Sequence, residues 1–422
     1  MIAPTLNKPR LLWLTIILHA FTHLYQVALM PLYLLIQRDF GLKSVGHATL
    51  LLTVMMVSTA LPSYIIGGLA DRMNRKHLLV FGLVVNGLGI AGLSFAPNLA
   101  WALVAVIVAG FGGSFYHPAA TAMIANLFAG STGKALGIAG IGASVGFFAG
   151  PIYSGWRADS LEPIMGASAW RRPILELGLL GLIAAGLFAW VADSRAGLPP
   201  DHSSGNLEGG GRPDARPSVR VFPTLTLWLL FFGYSIAFSF RDFAGSGLGS
   251  LSSLFLQKAR GFDPKWTGIA LSSIFLTSAI SNPLFGRMSD RGRKRWVCGV
   301  LLAAAALMAM FPHVPRQWTL PVLAICGFFF MSSYPMTEAA LMDSVSDRVR
   351  GRVFGLFVMV GGMLGNLSHW VMGAKVRTLG EAASIPSAYY PVYAALGLGI
   401  CISLLGLVCL HGMQVRRQEV GR

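Results

Sequence analysis

What most constrains this chain is a recurrence of apolar runs of bilayer length, at 11–36, 47–69, 77–97, 99–124, 134–156, 170–192, 223–256, 264–287, 296–313, 317–341, 352–374 and 389–411. A helix rises about 1.5 Å per residue, so roughly 20 apolar residues cross a hydrocarbon core, and in that solvent only helices or closed barrels satisfy their own backbone. Charged residues make up 12% of the 422 positions, about half the share in a soluble domain. The runs predict an all-α membrane protein with twelve transmembrane helices. The seventh run is too long for a simple span and is expected to begin or end outside the membrane. The first continues to Ile36 without a small-residue cleavage site after a short apolar core, so it reads as a retained span.

A charge pattern recurs at the end of two of these runs. Gly67-Gly68-Leu69-Ala70-Asp71-Arg72-Met73-Asn74-Arg75-Lys76 and Gly286-Arg287-Met288-Ser289-Asp290-Arg291-Gly292-Arg293-Lys294-Arg295 each put a glycine four residues before an Asp-Arg pair and follow it with basic residues, at an offset of 219. Gly133-Lys134-Ala135-Leu136-Gly137 and Gly351-Arg352-Val353-Phe354-Gly355 repeat at 218. Two landmarks at nearly one offset predict an internal duplication, hence two pseudo-symmetric six-helix halves. Between them, Asp193 to Phe222 holds Pro199-Pro200, Gly209-Gly210-Gly211, Pro213 and Pro217, a composition that resists a packed core. The expected organisation is an N-terminal bundle at 1–192, a linker at 193–222 and a C-terminal bundle at 223–422.

Twelve spans put both termini on one side. That side and the linker carry 21 Lys and Arg against 11 in the opposite loops, with Arg241 inside a span. Termini and linker are therefore expected in the cytoplasm, in a plasma (bacterial inner) membrane protein. The net charge of +16 lies in short clusters between apolar runs, which argues against a nucleic-acid partner. Cys298, Cys326, Cys401 and Cys409 fall inside apolar runs without ligand spacing, so neither a disulfide framework nor a zinc site is expected. No phosphate-binding loop and no covalent catalytic arrangement is present; the chain reads as a non-enzyme without cofactors.

Three groups of residues could carry mechanism. At the membrane exit, Asp71 and Asp290 could latch one side shut through helix amides or arginines, while Arg72, Arg75, Lys76 and Arg291 could hold lipid headgroups or helix-end carbonyls; a plain topology anchor is the alternative. Gly67 and Gly286 belong to the same pattern. In the fifth run, Gly137, Gly146, Gly150-Pro151 and Ser154-Gly155 make a small-residue face with a proline bend, suited to an interface that opens and closes or to ordinary close packing. Ionisable groups inside spans form the third group, because burial in lipid is costly. His19 and His23 share one helix face; His23 plus 219 is Asp242, beside Arg241, which predicts that the first and seventh helices face each other with His23 and Asp242 at matched depth. A histidine suits proton coupling. Tyr116, His117, Glu338 and His369 complete the candidates. Local roles remain open: Arg241–Asp242 as a structural ion pair, and His117 bonding a carbonyl freed by Pro118. Metal transport is disfavoured, since only His19 and His23 have ligand spacing.

On these motifs the chain resembles the major facilitator superfamily over almost its whole length. Gly67 to Lys76 is similar to that superfamily's loop 2–3 signature, Asp290 to Arg295 to its loop 8–9 copy, and Gly137 to Gly155 to the signature of proton-driven drug antiporters. Asn74 and Ser154 stand where glycines are usual. The segments His19, His23, Tyr33, Gln37, Phe40-Gly41-Leu42 and Gly110 to Pro118 resemble the fosmidomycin-resistance group. Val106 occupies the position of an antiporter arginine, and His23 that of an acid. The resemblance implies alternating access, with a cavity lined by the first, fourth, seventh and tenth helices. It also implies export of a small organic molecule or drug in exchange for protons, by a monomer in the lipid bilayer. Phe21, Tyr25, Phe115, Tyr116 and Tyr334 are expected to line an apolar pocket. Proton-coupled uptake of a metabolite, or a non-transporting scaffold or sensor on the same fold, are the alternatives.

Overall fold

The computed structural model describes residues 7–128, 132–198, 221–289, 291–345 and 350–420. Among them every regular element is helical. The first half comprises α1 (Lys8–Asp39), α2 (Val45–Ala70), α3 (Arg75–Leu93), α4 (Leu99–Leu127), α5 (Thr132–Met165) and α6 (Arg171–Val191). The second comprises α7 (Leu225–Ala259), α8 (Pro264–Ser289), α9 (Arg293–Met310), α10 (Thr319–Asp343), α11 (Arg350–Thr378) and α12 (Pro386–Arg416).

Ten segments among the described residues are long and apolar enough to cross a membrane. One of them, Ala135–Val191, holds two spans, α5 and α6, separated by a 3-10 turn at Gly166–Trp170 whose first residue has φ +58°. Gly166 supplies that left-handed conformation without a Cβ penalty. With α7 the total is consistent with twelve. The 35 residues of α7 extend about 52 Å, so this helix must tilt or overhang the hydrocarbon core. Several spans are interrupted: α1 at the Met30–Leu32 turn containing Pro31, α2 at Leu61 and Pro62, and α4 at Ser114 and Phe115. At the α4 break the Ser114 hydroxyl donates to the Phe111 carbonyl at 2.6 Å, satisfying part of the freed backbone.

The halves meet along two helix pairs, α2 with α11 and α5 with α8, and through the ends of α1 and α7 farthest from the termini. There Tyr33 Oη and Ser250 Oγ lie 2.9 Å apart, Ser250 reaches His369 Nδ1 at 2.8 Å, and Gln257 Nε2 donates to the Pro31 carbonyl at 3.2 Å. Toward the side of the termini, α1, α4, α7 and α10 make few contacts across the interface. The halves are therefore joined on the side opposite the termini, and these four helices leave an opening between them on theirs. His369, a sequence candidate for substrate handling, belongs to the closed end.

Glycines set the distances in this architecture. A Cβ on Gly142, Gly146 or Gly150 would stand 2.3 Å from Ile16 O, 2.1 Å from Ala20 O or 2.8 Å from Leu24 O, respectively. That face of α5 lies on α1, within its own half. Pro151 and Gly155 turn the other way: a Cβ on Gly268 would meet the Pro151 carbonyl at 2.1 Å, and one on Gly155 the Pro264 carbonyl at 2.3 Å. The expected small-residue face thus divides into an intra-half seam and a seam between halves. Gly67, Gly286 and Gly137, by contrast, have open space where a Cβ would stand.

At the duplicated motif, Asn74 caps the start of α3, accepting from Lys76 N, and its amide donates to the Ser194 carbonyl at 2.9 Å. The expected linker therefore begins by docking on this motif, through the 3-10 turn Ser194–Gly197 capped by Asp193. Arg75 is buried and donates from Nε to the Ala70 carbonyl at 2.9 Å, the helix-end carbonyl role among those expected. Asp71, Arg72 and Arg291 are exposed, and Asp290 and residues 199–220 lie outside the described residues.

Gly146→Ala should lower the thermal stability of the purified protein by about 1–3 kcal/mol, because the new methyl meets a backbone carbonyl that cannot swing aside. Gly137→Ala, into open space, should leave the melting temperature unchanged or slightly raised. Equal melting temperatures for the two variants would contradict the α1–α5 seam.

Candidate functional site

Two polar clusters stand at bilayer depth, one in each half. In the first, the i,i+4 spacing that places His19 and His23 on one face of α1 brings their Nε2 atoms to 3.0 Å. His19 Nδ1 lies 2.7 Å from the Ala139 carbonyl on α5, and His23 Nδ1 lies 2.8 Å from Gln26 Oε1. A carbonyl only accepts, so the His19 Nδ1 carries the proton. His117 from α4 joins them, its ring centroid 5.2 Å from His19 and 5.3 Å from His23, edge-on. The break in α4 just before Tyr116 is what lets this turn present His117 to α1. Tyr116 stacks on His19 at 4.5 Å and donates its hydroxyl to the Thr15 carbonyl at 3.0 Å, fixing the imidazole from behind. Phe147 of α5 covers His23 at 4.4 Å. His19 and His23 are buried, while His117 is exposed and makes no hydrogen bond among the described residues. The reading of His117 as a partner for a freed carbonyl does not hold, because its ring makes no hydrogen bond among the described residues.

In the second cluster Arg241 of α7 is 1% exposed. Its Nε and one terminal nitrogen donate to Asp242 Oδ1 at 2.9 and 2.8 Å, and the other terminal nitrogen donates to Thr337 Oγ1 of α10 at 2.7 Å. The guanidinium carbon sits 4.0 Å from the centroid of the Tyr334 ring and 5.1 Å from that of Phe238, a desolvated cation–π arrangement that supplies about 2 kcal/mol. Asp242 fits because α11 offers no side chain there: a Cβ on Gly361 would stand 2.8 Å from Asp242 Oδ2, and one on Gly365 2.8 Å from its Cβ. Glu338, one helical turn after Tyr334, is half-buried and makes no hydrogen bond or ion pair among the described residues.

The fold thus brings together His19, His23, Tyr116 and His117 in one group and Arg241 and Asp242 in the other, with Glu338 one turn along α10. His23 and Asp242 bond within their own halves. Of the expected aromatic pocket, Tyr25 and Phe115 are core residues instead. Tyr25 is 1% exposed and donates to the Leu177 carbonyl, and Phe115 packs edge-on against Phe81 and Phe111. Gln26, Phe147, Thr337, Gly361 and Gly365 escaped the sequence reading. The Gly361–Gly365 spacing was a visible signal for close helix approach, and Gln26 sits one turn from His23.

The Major Facilitator Superfamily matches residues 12–368. The chain belongs to the major facilitator superfamily. A transporter of that superfamily from Bacillus subtilis, the uncharacterized YfnC, is 25% identical over 384 residues, covering 90% of each chain. The fosmidomycin resistance protein of Escherichia coli is 23% identical over 364 residues, covering 84% of this chain and 83% of its own. A crystal structure of a bacterial homolog of the human lysosomal transporter Spinster, inward-facing and unoccupied, matches with a TM-score of 0.69 at 16% identity, over 98% of this chain and 97% of that one. This major facilitator chain is therefore a membrane transporter. Val106 is fully buried, and the polar site of the N-terminal half is built from imidazoles with Gln26 and the Tyr116 hydroxyl beside them.

Removing one member of the Arg241–Asp242 pair strands the other in a dry site. Asp242→Ala should cost about 3 kcal/mol, the low end for a buried pair because Asp242 keeps some exposure. An Arg241→Met, Asp242→Ala double variant should recover much of that loss in thermal unfolding. No recovery in the double variant would show that the pair does not act as a unit.

Proposed function

We propose that this chain is a proton-coupled exporter of a small organic molecule, an antiporter working by alternating access. It acts as a monomer in a plasma (bacterial inner) membrane, with both termini and the 193–222 linker between its 1–192 and 223–422 bundles in the cytoplasm. The described conformation is then inward-facing. The observation that carries the reading is the Arg241–Asp242 pair with Glu338 beside it, ionisable groups held at bilayer depth on helices that border the opening. A proton taken up by Asp242 removes the charge that balances Arg241, which must then find another acceptor. Protonation and the α7–α10 contact are coupled in this way. The wall opposite, His19, His23, Tyr116 and His117, contacts substrate. The substrate class in this reading is drawn from the names of relatives, which include fosmidomycin resistance, multidrug resistance and multi-drug efflux. In this reading Asp71 and Asp290, with Arg72 and Arg291, close the cytoplasmic side in the opposite state, and Gly67 and Gly286 allow the close approach that this closure needs.

An efflux-deficient host expressing the chain should show raised tolerance to members of a compound panel that includes fosmidomycin. No shift for any compound would sink the drug-export reading. Inside-out vesicles made acidic within should accumulate the identified substrate, and Asp242→Asn or Glu338→Gln should abolish this gradient-driven uptake while sparing substrate exchange. Flux of the opposite sign would make the chain an uptake carrier. Variants Asp71→Asn and Asp242→Asn that leave every phenotype intact would favour a non-transporting scaffold.

A further inference from the structure

We propose that His19, His23 and His117 form a binding site for a divalent transition-metal ion of the zinc, nickel or copper type, at the opening between the halves. One ligand nitrogen from each residue lies within 4.8 Å of the other two. Both buried histidines already have their Nδ1 atoms engaged by oxygens, the Ala139 carbonyl at 2.7 Å and Gln26 Oε1 at 2.8 Å. Such outer partners fix the tautomer of metal-ligating imidazoles. With a proton on each Nδ1, both Nε2 atoms carry lone pairs, and these lone pairs face each other at 3.0 Å. A cation shared between them relieves that opposition, and so does the other His23 tautomer with the Gln26 amide reversed. A tetrahedral ion with bonds of 2.0–2.1 Å holds its nitrogens about 3.3 Å apart, so the pair is nearly at ligand spacing. His117 provides the third nitrogen and is free to turn inward, since no hydrogen bond holds its exposed ring.

The donor set selects the ion. Three neutral imidazoles with no carboxylate suit zinc, nickel or copper and not magnesium or calcium. Three protein ligands leave a fourth position for water or for a donor atom of a transported molecule. Tyr116 cannot take that position, because its hydroxyl is committed to the Thr15 carbonyl. The other occupant of the gap between the Nε2 atoms is a single proton, reached by reversing the Gln26 amide.

The test uses the full-length protein, purified without a polyhistidine tag and titrated with Co²⁺, read by the visible bands of nitrogen-ligated tetrahedral cobalt, and with Zn²⁺ by calorimetry. One saturable site is expected. His117→Ala, which breaks no hydrogen bond and should fold normally, and His23→Ala should each abolish it. Gln26→Leu should weaken it about 10–100-fold, and His313→Ala, at a distant turn, should change nothing. No protein-dependent cobalt spectrum, or a spectrum that survives His117→Ala, would overturn the proposal and leave the gap to the proton. Binding to the purified chain is read independently of export, so either conclusion can fail alone.

Discussion

The structure depends on how closely the backbone of α5 can lie against two neighbours at once. On one face, Gly142, Gly146 and Gly150 bring it against the carbonyls of Ile16, Ala20 and Leu24 in α1. On the other, Pro151 and Gly155 meet Gly268 and Pro264 of α8, and Ser272 donates to the Phe148 carbonyl at 2.7 Å. Lipid offers no hydrophobic drive between helices, so such contacts must come from fit and from hydrogen bonds. The histidine cluster follows from the first seam. His19 reaches the Ala139 carbonyl, and Phe147 covers His23, only because α5 lies at glycine distance from α1. Phe147 also stacks on Phe275 of α8 at 4.8 Å, with the rings 13° from parallel. A single side chain thus touches the polar site of one half and the moving surface of the other.

The second seam between halves combines hydrogen bonds with close packing, as the first does. Thr53 of α2 donates to the Asn366 carbonyl at 3.0 Å and accepts from the Trp370 amide at 2.9 Å, both on α11. A few residues along, a Cβ on Gly373 would strike Thr49 Oγ1 at 2.1 Å. The same α11 carries Gly361 and Gly365, which make room for Asp242. One helix therefore seals the closed side and shapes the ionic site, as α5 does in the other half. The proposed alternating access would slide α2 on α11 and α5 on α8. The side chains behind both polar clusters move with those helices.

The spans were legible because lipid enforces a simple rule on length and composition, and the runs in the sequence correspond closely to the helices. Hydropathy did not show the breaks inside α1, α2 and α4, since an apolar run continues through them; Pro31, Pro62 and Pro118 are their signals in the sequence. Spacing on one helix put His19 and His23 together, but the approach of His117 depends on the α4 break at Ser114, for which Pro118 is the local signal, and on the α1–α4 contact, which leaves none. For Arg241 and Asp242 adjacency showed the pair. The Tyr334 ring beneath the guanidinium and the glycines of α11 that admit the carboxylate are tertiary facts. Asn74 shows the same limit in reverse: a departure from the superfamily's glycine pattern is a helix cap and a docking point for the chain after α6.

The duplication explains the scaffold and stops short of the site. An offset of 219 maps His23 onto Asp242, yet the first sits among imidazoles and the second on a buried arginine. In a medium of low dielectric these are unequal surroundings. A charge that enters or leaves beside Arg241 changes the energy of its half strongly, because no water compensates it. The imidazole wall has no fixed charge to lose and responds chiefly to what coordinates or hydrogen-bonds to its nitrogens. In the proposed exporter the charged half is then the seat of the energy input and the imidazole half that of ligand choice. Repetition of the fold gives two similar halves; divergence at two matched positions makes their polar sites unequal.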